Sequence, residues 1–385
     1  MEIKKRLSRG FFPAVFILSC FLPFISFAQS ATVTPETQTI EKAKVISVSN
    51  QTTETIQGTG ATEPVQTLTA QIVSGPDANQ VVTFTNDYTQ LAPGDIFYLR
   101  HTTSSLDGTD YYSVSDPYRL NVLLELAVAL VVLIIVFGGL QGVRGFVSLC
   151  GSIVLIFYVL MPGILHGYSP VLVSIGVSSL IILLGSYITH GLNRTTTAAV
   201  LGMMVTVLIT GAVAFWAVHA AHLSGYNSEE VVYLNFNTNG TIDLVGLLFG
   251  GIMIGLLGVL YDIAISQAIA VEELFRAGTH LTHIQVYHRA IRIGREHIGA
   301  LVNTLAIAYV GAALPLLLVV QESSYGVAYA INNEIFATEI VRILIGSIGL
   351  ILGVPITTLI ASSMLSAKYA QSYESTGNHH HHSHH

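Results

Sequence analysis

Charge is what this chain lacks most. Only 10% of its 385 residues are Asp, Glu, Lys or Arg, against roughly 25% in ordinary soluble domains, while 51% are hydrophobic. That composition belongs to a protein dissolved in lipid, with the bilayer itself as its first partner. Basic residues are scarcer than acidic ones, 16 against 23, and the formal net charge of −7 leaves no cationic footprint for nucleic acid. Cysteine is nearly missing: Cys20 and Cys150 both sit in apolar segments, which excludes a disulfide framework and a cysteine-based zinc site. No nucleophile–base pair, HExxH or phosphate-binding loop stands in the sequence. The chain therefore reads as a non-enzyme that calls for no cofactor and no metal.

What is present begins with a basic start (Lys4, Lys5, Arg6, Arg9), an apolar stretch from Phe11 to Phe27, and small residues at Ser26 and Ala28. This is the layout of a secretory signal peptide over 1–28, cut after Ala28; an uncleaved first helix is the alternative. From 29 to 119 the composition shifts to Thr, Gln, Ser, Asp and Gly. Short alternating runs at Lys44–Val48, Thr67–Val73, Val81–Thr85 and Asp95–Leu99 are bounded by the turn signals Ser74-Gly75-Pro76-Asp77 and Pro93-Gly94-Asp95. They predict an exported β domain of about 70 to 80 residues, a small barrel or sandwich.

From 120 to 366 follows a helical bundle. Apolar segments at 121–140, 146–165, 169–189, 196–218, 244–265, 299–320 and 340–361 each approach the ~20 residues that cross a ~30 Å hydrocarbon core. That makes a polytopic α-helical membrane protein of about seven spans behind a signal peptide. Loops 166–169, 219–243 and 321–339 contain no Lys or Arg, whereas the alternate loops carry Arg144, Arg194, Arg276, Arg289, Arg292 and Arg295, with Lys368 in the tail. Cations mark the cytoplasmic side, so residues 29–119 lie outside and the C-terminal tail, 367–385, lies in the cytoplasm. Arg342 breaks the pattern and either snorkels or pairs with Glu339. The tail ends in the histidine-rich His379–His385, a tag variant or a metal-sequestering native segment, and it takes no part in the fold reasoning.

The residue that draws the eye is Asp262, an acid in a membrane-length apolar run, where an ionisable side chain costs several kcal/mol unless something satisfies it. Gly251, Gly255, Gly258, Asp262 and Ser266 follow one another at steps of 4, 3, 4 and 4, one helix face. Small residues on a face let a neighbour approach closely, so Asp262 is expected to point into the bundle. It then serves as an ion, proton or substrate contact, or as a buried acid tied to a hydroxyl or arginine for packing. At ~1.5 Å per residue it lies ~27 Å from Leu244, in the cytoplasmic third of the span. Asn303 and Thr304, in a run with Gly311 and a breaking Pro315, are either interhelix glue or part of the same pathway.

Between Glu272 and His297, Leu281, Ile284, His288 and Ile291 recur at helical spacing with Arg289, Arg292 and Arg295 on a neighbouring face. This suits a helix on the anionic membrane surface, or an inner vestibule. His219 and His222, one turn apart, could meet His166 but lack a carboxylate in register and are not assigned to a metal. Glu229, Glu230, Asp243, Glu322, Glu334 and Glu339 leave the external loops without a compensating cation, a field that would concentrate cations.

Three segments carry a family resemblance: Tyr111–Arg119 leading into the first span, Gly255–Ser266 around the aspartate, and Ile298–Pro315. Together they resemble the YibE/F family from the exported domain to the last span. Tyr261 stands where the family usually has Met, and Pro117 where it has an aromatic. The resemblance implies a multi-spanning protein of the bacterial plasma membrane and brings no reaction with it. Two readings stay open. One is a channel or transporter for a small ion or solute, with Asp262, Ser266, Asn303 and Thr304 along its path. The other is a non-transporting anchor whose exported domain binds a protein partner. Self-association is compatible with both.

Overall fold

The computed structural model describes residues 37–377 apart from 56, 57, 59, 61, 105–107, 279, 280 and 323–325. The expected signal peptide and the histidine-rich end from His379 lie outside the described residues. The chain divides into two compact units between Leu133 and Ile134.

The first unit holds one antiparallel sheet of β1 (Thr37–Thr55), β2 (Thr62–Ser74), β3 (Val81–Asn86), β4 (Ile96–Thr103) and β5 (Asp110–Pro117), in the order β3-β2-β1-β4-β5. Every expected strand lies in this sheet; β5, a Tyr/Ser/Asp run without clean alternation, joins it. Period-2 alternation turns Ala43 and Val45, Leu68, Ala70 and Ile72, Phe97 and Leu99, and Val114 to one buried face. Register shifts at three places along the β1–β2 ladder mark bulges, which increase the local twist and let the sheet curl over that face. The expectation of a barrel or sandwich is corrected here: no ladder joins β3 to β5, and there is no second sheet among the described residues. With β3 only 6 residues long, curling covers the apolar face without a closing ladder. Gln66, 1% exposed, pins the loop that delivers Leu91 to the core: its amide accepts from Leu91 N (2.9 Å) and donates to Leu91 O (3.2 Å).

Helices follow: α1 (Leu120–Leu155), continued through a π segment into α2 (Met161–Leu165), α3 (Pro170–His190), α4 (Arg194–Ala220), α5 (Glu229–Asn237), α6 (Leu244–Ala277), α7 (His283–Ala312), α8 (Leu314–Glu322), α9 (Val327–Asn332) and α10 (Glu334–Gly377). Their starts are written in the sequence. Asn193 and Asp243 accept from backbone amides three residues on, and Thr282 with Gln285 forms a reciprocal capping box.

Among the described residues five helical runs are long and apolar enough to cross a membrane: Leu120–Leu165, Pro170–His190, Arg194–Ala220, Leu244–Ala277 and Glu334–Ser366. The pair α7 and α8, bent by 64° beside Pro315, makes a sixth if counted as one. The first two expected spans thus form one run, but the run is not straight. Gly139 has φ 54° and ψ −144°, and a Cβ on Gly142 would lie 2.7 Å from the carbonyl oxygen of Ile134. In an unbroken helix those residues are ~12 Å apart.

The core of the second unit forms where α4, α6 and α10 meet. Gly202 on α4 lies under Thr357, and Gly349 and Gly353 on α10 lie under Leu256 and Leu260 of α6. The small residues that permit close approach are therefore on α4 and α10, and they receive the leucines of α6.

Candidate functional site

The buried face of α3 is unusually polar for a membrane-length helix. Ser174, Ser178, Ile182, Ser186 and Thr189 follow one another at helical spacing; the three serines are fully buried and Thr189 is 7% exposed. The Ser174, Ser178, Ser186 and Thr189 hydroxyls all lack a hydrogen-bond partner among the described residues, and Ser186 and Thr189 face the phenol of Tyr261. Across from them stands α6. Gly250 leaves room for Ser174 Oγ, which a Cβ there would strike, and Tyr261 Oη donates to Gly185 O (3.1 Å).

Three cavities accompany this line of hydroxyls. One of about 350 Å³ includes Ser174, Gly250, Gly251 and Arg342. One of about 370 Å³ lies midway, between Ser148 and Ser152 on one side and Gly185, Thr189, Gly258 and Tyr261 on the other. The third, about 420 Å³, is the most polar and is lined by Gln141, His190, Asn193, Thr195, Glu272 and Arg276. Tyr261 lines the second, and its ring centroid lies 6.2 Å from that of His190, which lines the third.

The chemistry of the third cavity is specific. Glu272, 15% exposed, accepts from Thr195 Oγ1 (2.6 Å) and pairs with Arg276 (3.0 Å), which also reaches Glu273 (2.9 Å). Gln141 Nε2 meets His190 Nδ1 at 3.1 Å. An acid so held keeps its position while a hydroxyl, an amide and an imidazole remain beside it as donors and acceptors. At the other end Arg342 donates to Glu339 (2.7 Å), the pairing anticipated for it, while its Nε is buried without a partner.

The residues predicted for the site fall elsewhere. Asp262 and Ser266 are exposed and line none of these cavities. The expectation that Asp262 points into the bundle is corrected: α6 buries its Leu256, Leu260, Ile263 and Gln267 side, because its neighbours supply the small surfaces. Gly251 and Gly258 edge the first two cavities, and Gly255 has Tyr309 Oη nearby (3.0 Å from a Cβ there). Asn303 and Thr304 are exposed on α7, with Thr304 Oγ1 turned back to Ala300 O (2.9 Å), and Gly311 is open on its side.

Arg289, Arg292 and Arg295 are exposed and the buried face beside them is Val286, Ala290 and Gly294; of the row read from the spacing, Ile284 and His288 are exposed and Leu281 and Ile291 half-buried. Gly294 is the reason: it lets Val354 and the amide of Gln267 approach, and Gln267 donates to Ala290 O (2.8 Å) and Thr358 Oγ1 (2.7 Å). His219 and His222 share a separate cavity with Asp243. No group of three or more His, Cys, Asp and Glu among the described residues is arranged to hold a metal ion.

A model of the YibE/F-like protein family matches residues 126–367, which contain every residue named for these cavities. The chain belongs to the YibE/F-like family. Comparisons with curated proteins and with solved structures find no match. In this YibE/F-like protein the sequence reading passed over Ser174, Ser178, Ser186, Thr189 and His190. The four-residue recurrence of hydroxyls within the expected span 169–189 was the available signal, masked by how readily a single Ser is accommodated in a membrane helix.

Proposed function

We propose that this YibE/F-like protein is a multi-pass protein of the bacterial plasma membrane that passes a small ion or solute along the α3–α6 track. The observation that carries the reading is the pair of fully buried, unpartnered hydroxyls, Ser174 and Ser178. A hydroxyl in apolar surroundings without a partner is costly, so a line of them between a polar cavity and a second cavity supports a path for a polar guest.

Seven crossings, with residues 29–119 outside and the C-terminus in the cytoplasm, fit this path. The break at Gly139 leaves Leu120–Gly138 and Leu140–Leu165, each close to the ~20 residues of a crossing. Gln141, Arg144, His190, Asn193 and Arg276 then share one end, the cationic one that the positive-inside rule assigns to the cytoplasm. The exposed Asp262 and Asn303 support self-association, since a carboxylate against lipid costs several kcal/mol.

The test is flux in proteoliposomes, with monovalent cations and small neutral polyols as the solutes. Ser178→Leu, which fills the track, is expected to abolish flux, and Asp262→Asn to leave it within about twofold, well under the tenfold worth of ~1.4 kcal/mol. Undiminished flux in Ser178→Leu removes the track from the mechanism. A second reading, an anchor that docks a protein partner, draws on the sheet forming a compact unit of its own. It is favoured if no solute moves and a defined external partner binds residues 37–117.

A further inference from the structure

The concave face of the curled sheet is apolar at one end and polar at the other. Continuing the alternation of its buried strand residues outward gives Glu41 and Thr39 before Ala43 on β1, His101 after Leu99 on β4, and Tyr112 and Asp110 before Val114 on β5. The turn between β2 and β3 closes over this end. His101 Nε2 lies 2.9 Å from Asp110 Oδ1 and its Nδ1 3.4 Å from Asp77 Oδ2 in that turn, while Tyr112 stacks on the ring at 4.7 Å. One histidine on β4 therefore touches a carboxylate on β5 and another between β2 and β3, the two margins that no ladder joins.

Both ring nitrogens face carboxylate oxygens, and only an imidazolium can donate to both; a neutral ring turns a lone pair toward one of them. The charge count points the same way. Two carboxylates, Asp77 and Asp110, meet the ring, and a third stands behind Asp77: Glu41, 3% exposed, whose Oε1 takes the Asp77 amide (3.4 Å) and whose Oε2 is buried without a partner among the described residues. Tyr112 is the other titratable group on this face, and its phenol is pushed up by burial and then by Asp110, Asp77 and Glu41. Among the described residues no lysine or arginine answers them on this face. Lys42 lies over the Tyr118 ring on the opposite face, and Arg100 donates to Ser115 there.

We propose that His101 is a proton-binding site that clasps the open margin of the sheet: protonated, it ties the β2–β3 turn to β5, and deprotonated, it lets the turn go while keeping Asp110. Asp110 is the partner retained because Thr103 Oγ1 also donates to it (2.7 Å), whereas Asp77 depends on the longer contact. The clasp is closed while the ring carries its proton and both nitrogens donate, and it opens when one nitrogen presents a lone pair to its carboxylate. This inference concerns the sheet alone and stands or falls independently of the track through the helices.

The experiment is hydrogen exchange on the full-length protein in nanodiscs at pH 5.5 and 8.0, corrected for intrinsic exchange. It follows the peptide that holds the amides of Asn79 and Gln80, which donate to Ile72 O and Asp77 O. In the wild type its protection is expected to fall roughly tenfold at the higher pH, the scale of one charge-assisted hydrogen bond. His101→Gln and, independently, Asp77→Asn are expected to make the ratio pH-independent; the latter alters only a turn residue and guards against misfolding of the former. A wild-type turn equally protected at both pH values overturns the clasp, and so does a pH dependence that survives Asp77→Asn.

Discussion

A single side chain decides most where it has no substitute. Gln66 satisfies both backbone groups of Leu91 from inside the sheet, so Gln66→Leu keeps the volume and strands two buried polar groups. The expected cost is about 2 kcal/mol, one to two unmade hydrogen bonds, read as a lowered midpoint of the β signal in chemical unfolding. Asp110 makes a different prediction, because hydrogen bonds from His101 and Thr103 hold its carboxyl below the usual carboxylate range. A depressed folded-state value contributes stability that is fully present above the ordinary carboxylate pKa and is lost as pH falls through the depressed one. Asp110→Asn should therefore lower the neutral plateau and flatten the acid limb below about pH 4, leaving stability at the acid end nearly unchanged. A steepened acid limb would contradict this assignment.

At the scale of elements, the small residues have two fates that their spacing alone does not separate. Gly251, Gly255 and Gly258 form a regular stripe on α6, yet that stripe is exposed. Gly202, Gly349 and Gly353 are the ones overlain by Thr357, Leu256 and Leu260. A glycine stripe licenses close approach without saying which neighbour takes it, and the larger apolar side of α6 won. Asp262 was misjudged for the same reason, whereas the caps at Asn193, Asp243 and Thr282 depend only on adjacent residues and could be read directly. The contrast is measurable. Gly202→Ala puts a Cβ 2.9 Å from the Thr357 α-carbon, which is backbone and cannot step aside, so it should destabilise by about 1–3 kcal/mol. Gly311→Ala meets nothing within 4 Å and should be neutral or stabilising by up to ~1 kcal/mol through helix propensity. Thermal aggregation of the two variants in one detergent gives the comparison, and equal shifts would dissolve the distinction.

For the whole molecule, composition and hydrophobic periodicity made the membrane class and the division into sheet and helices legible. The curl of the sheet was not, since it depends on bulges. The hydroxyl track was not either, since it depends on which helices become neighbours. The number of crossings turns on one residue, Gly139. If Leu120–Leu165 crosses once, the sheet and the loop after α4 lie on opposite sides of the membrane; if the chain turns back at Gly139, they lie on the same side. Single cysteines at Thr85, Asn239 and Gln141, in a background with Cys20 and Cys150 replaced by serine, separate these cases with a membrane-impermeant maleimide on intact spheroplasts. Turning at Gly139 predicts that Thr85→Cys and Asn239→Cys label from outside and that Gln141→Cys labels only after lysis. A single crossing predicts that Thr85→Cys and Asn239→Cys never label together, and it leaves position 141 within the hydrocarbon, slow to react from either side. The first pattern is expected, because it alone keeps Arg144, Arg194 and Arg276 on the cytoplasmic face that the positive-inside rule requires.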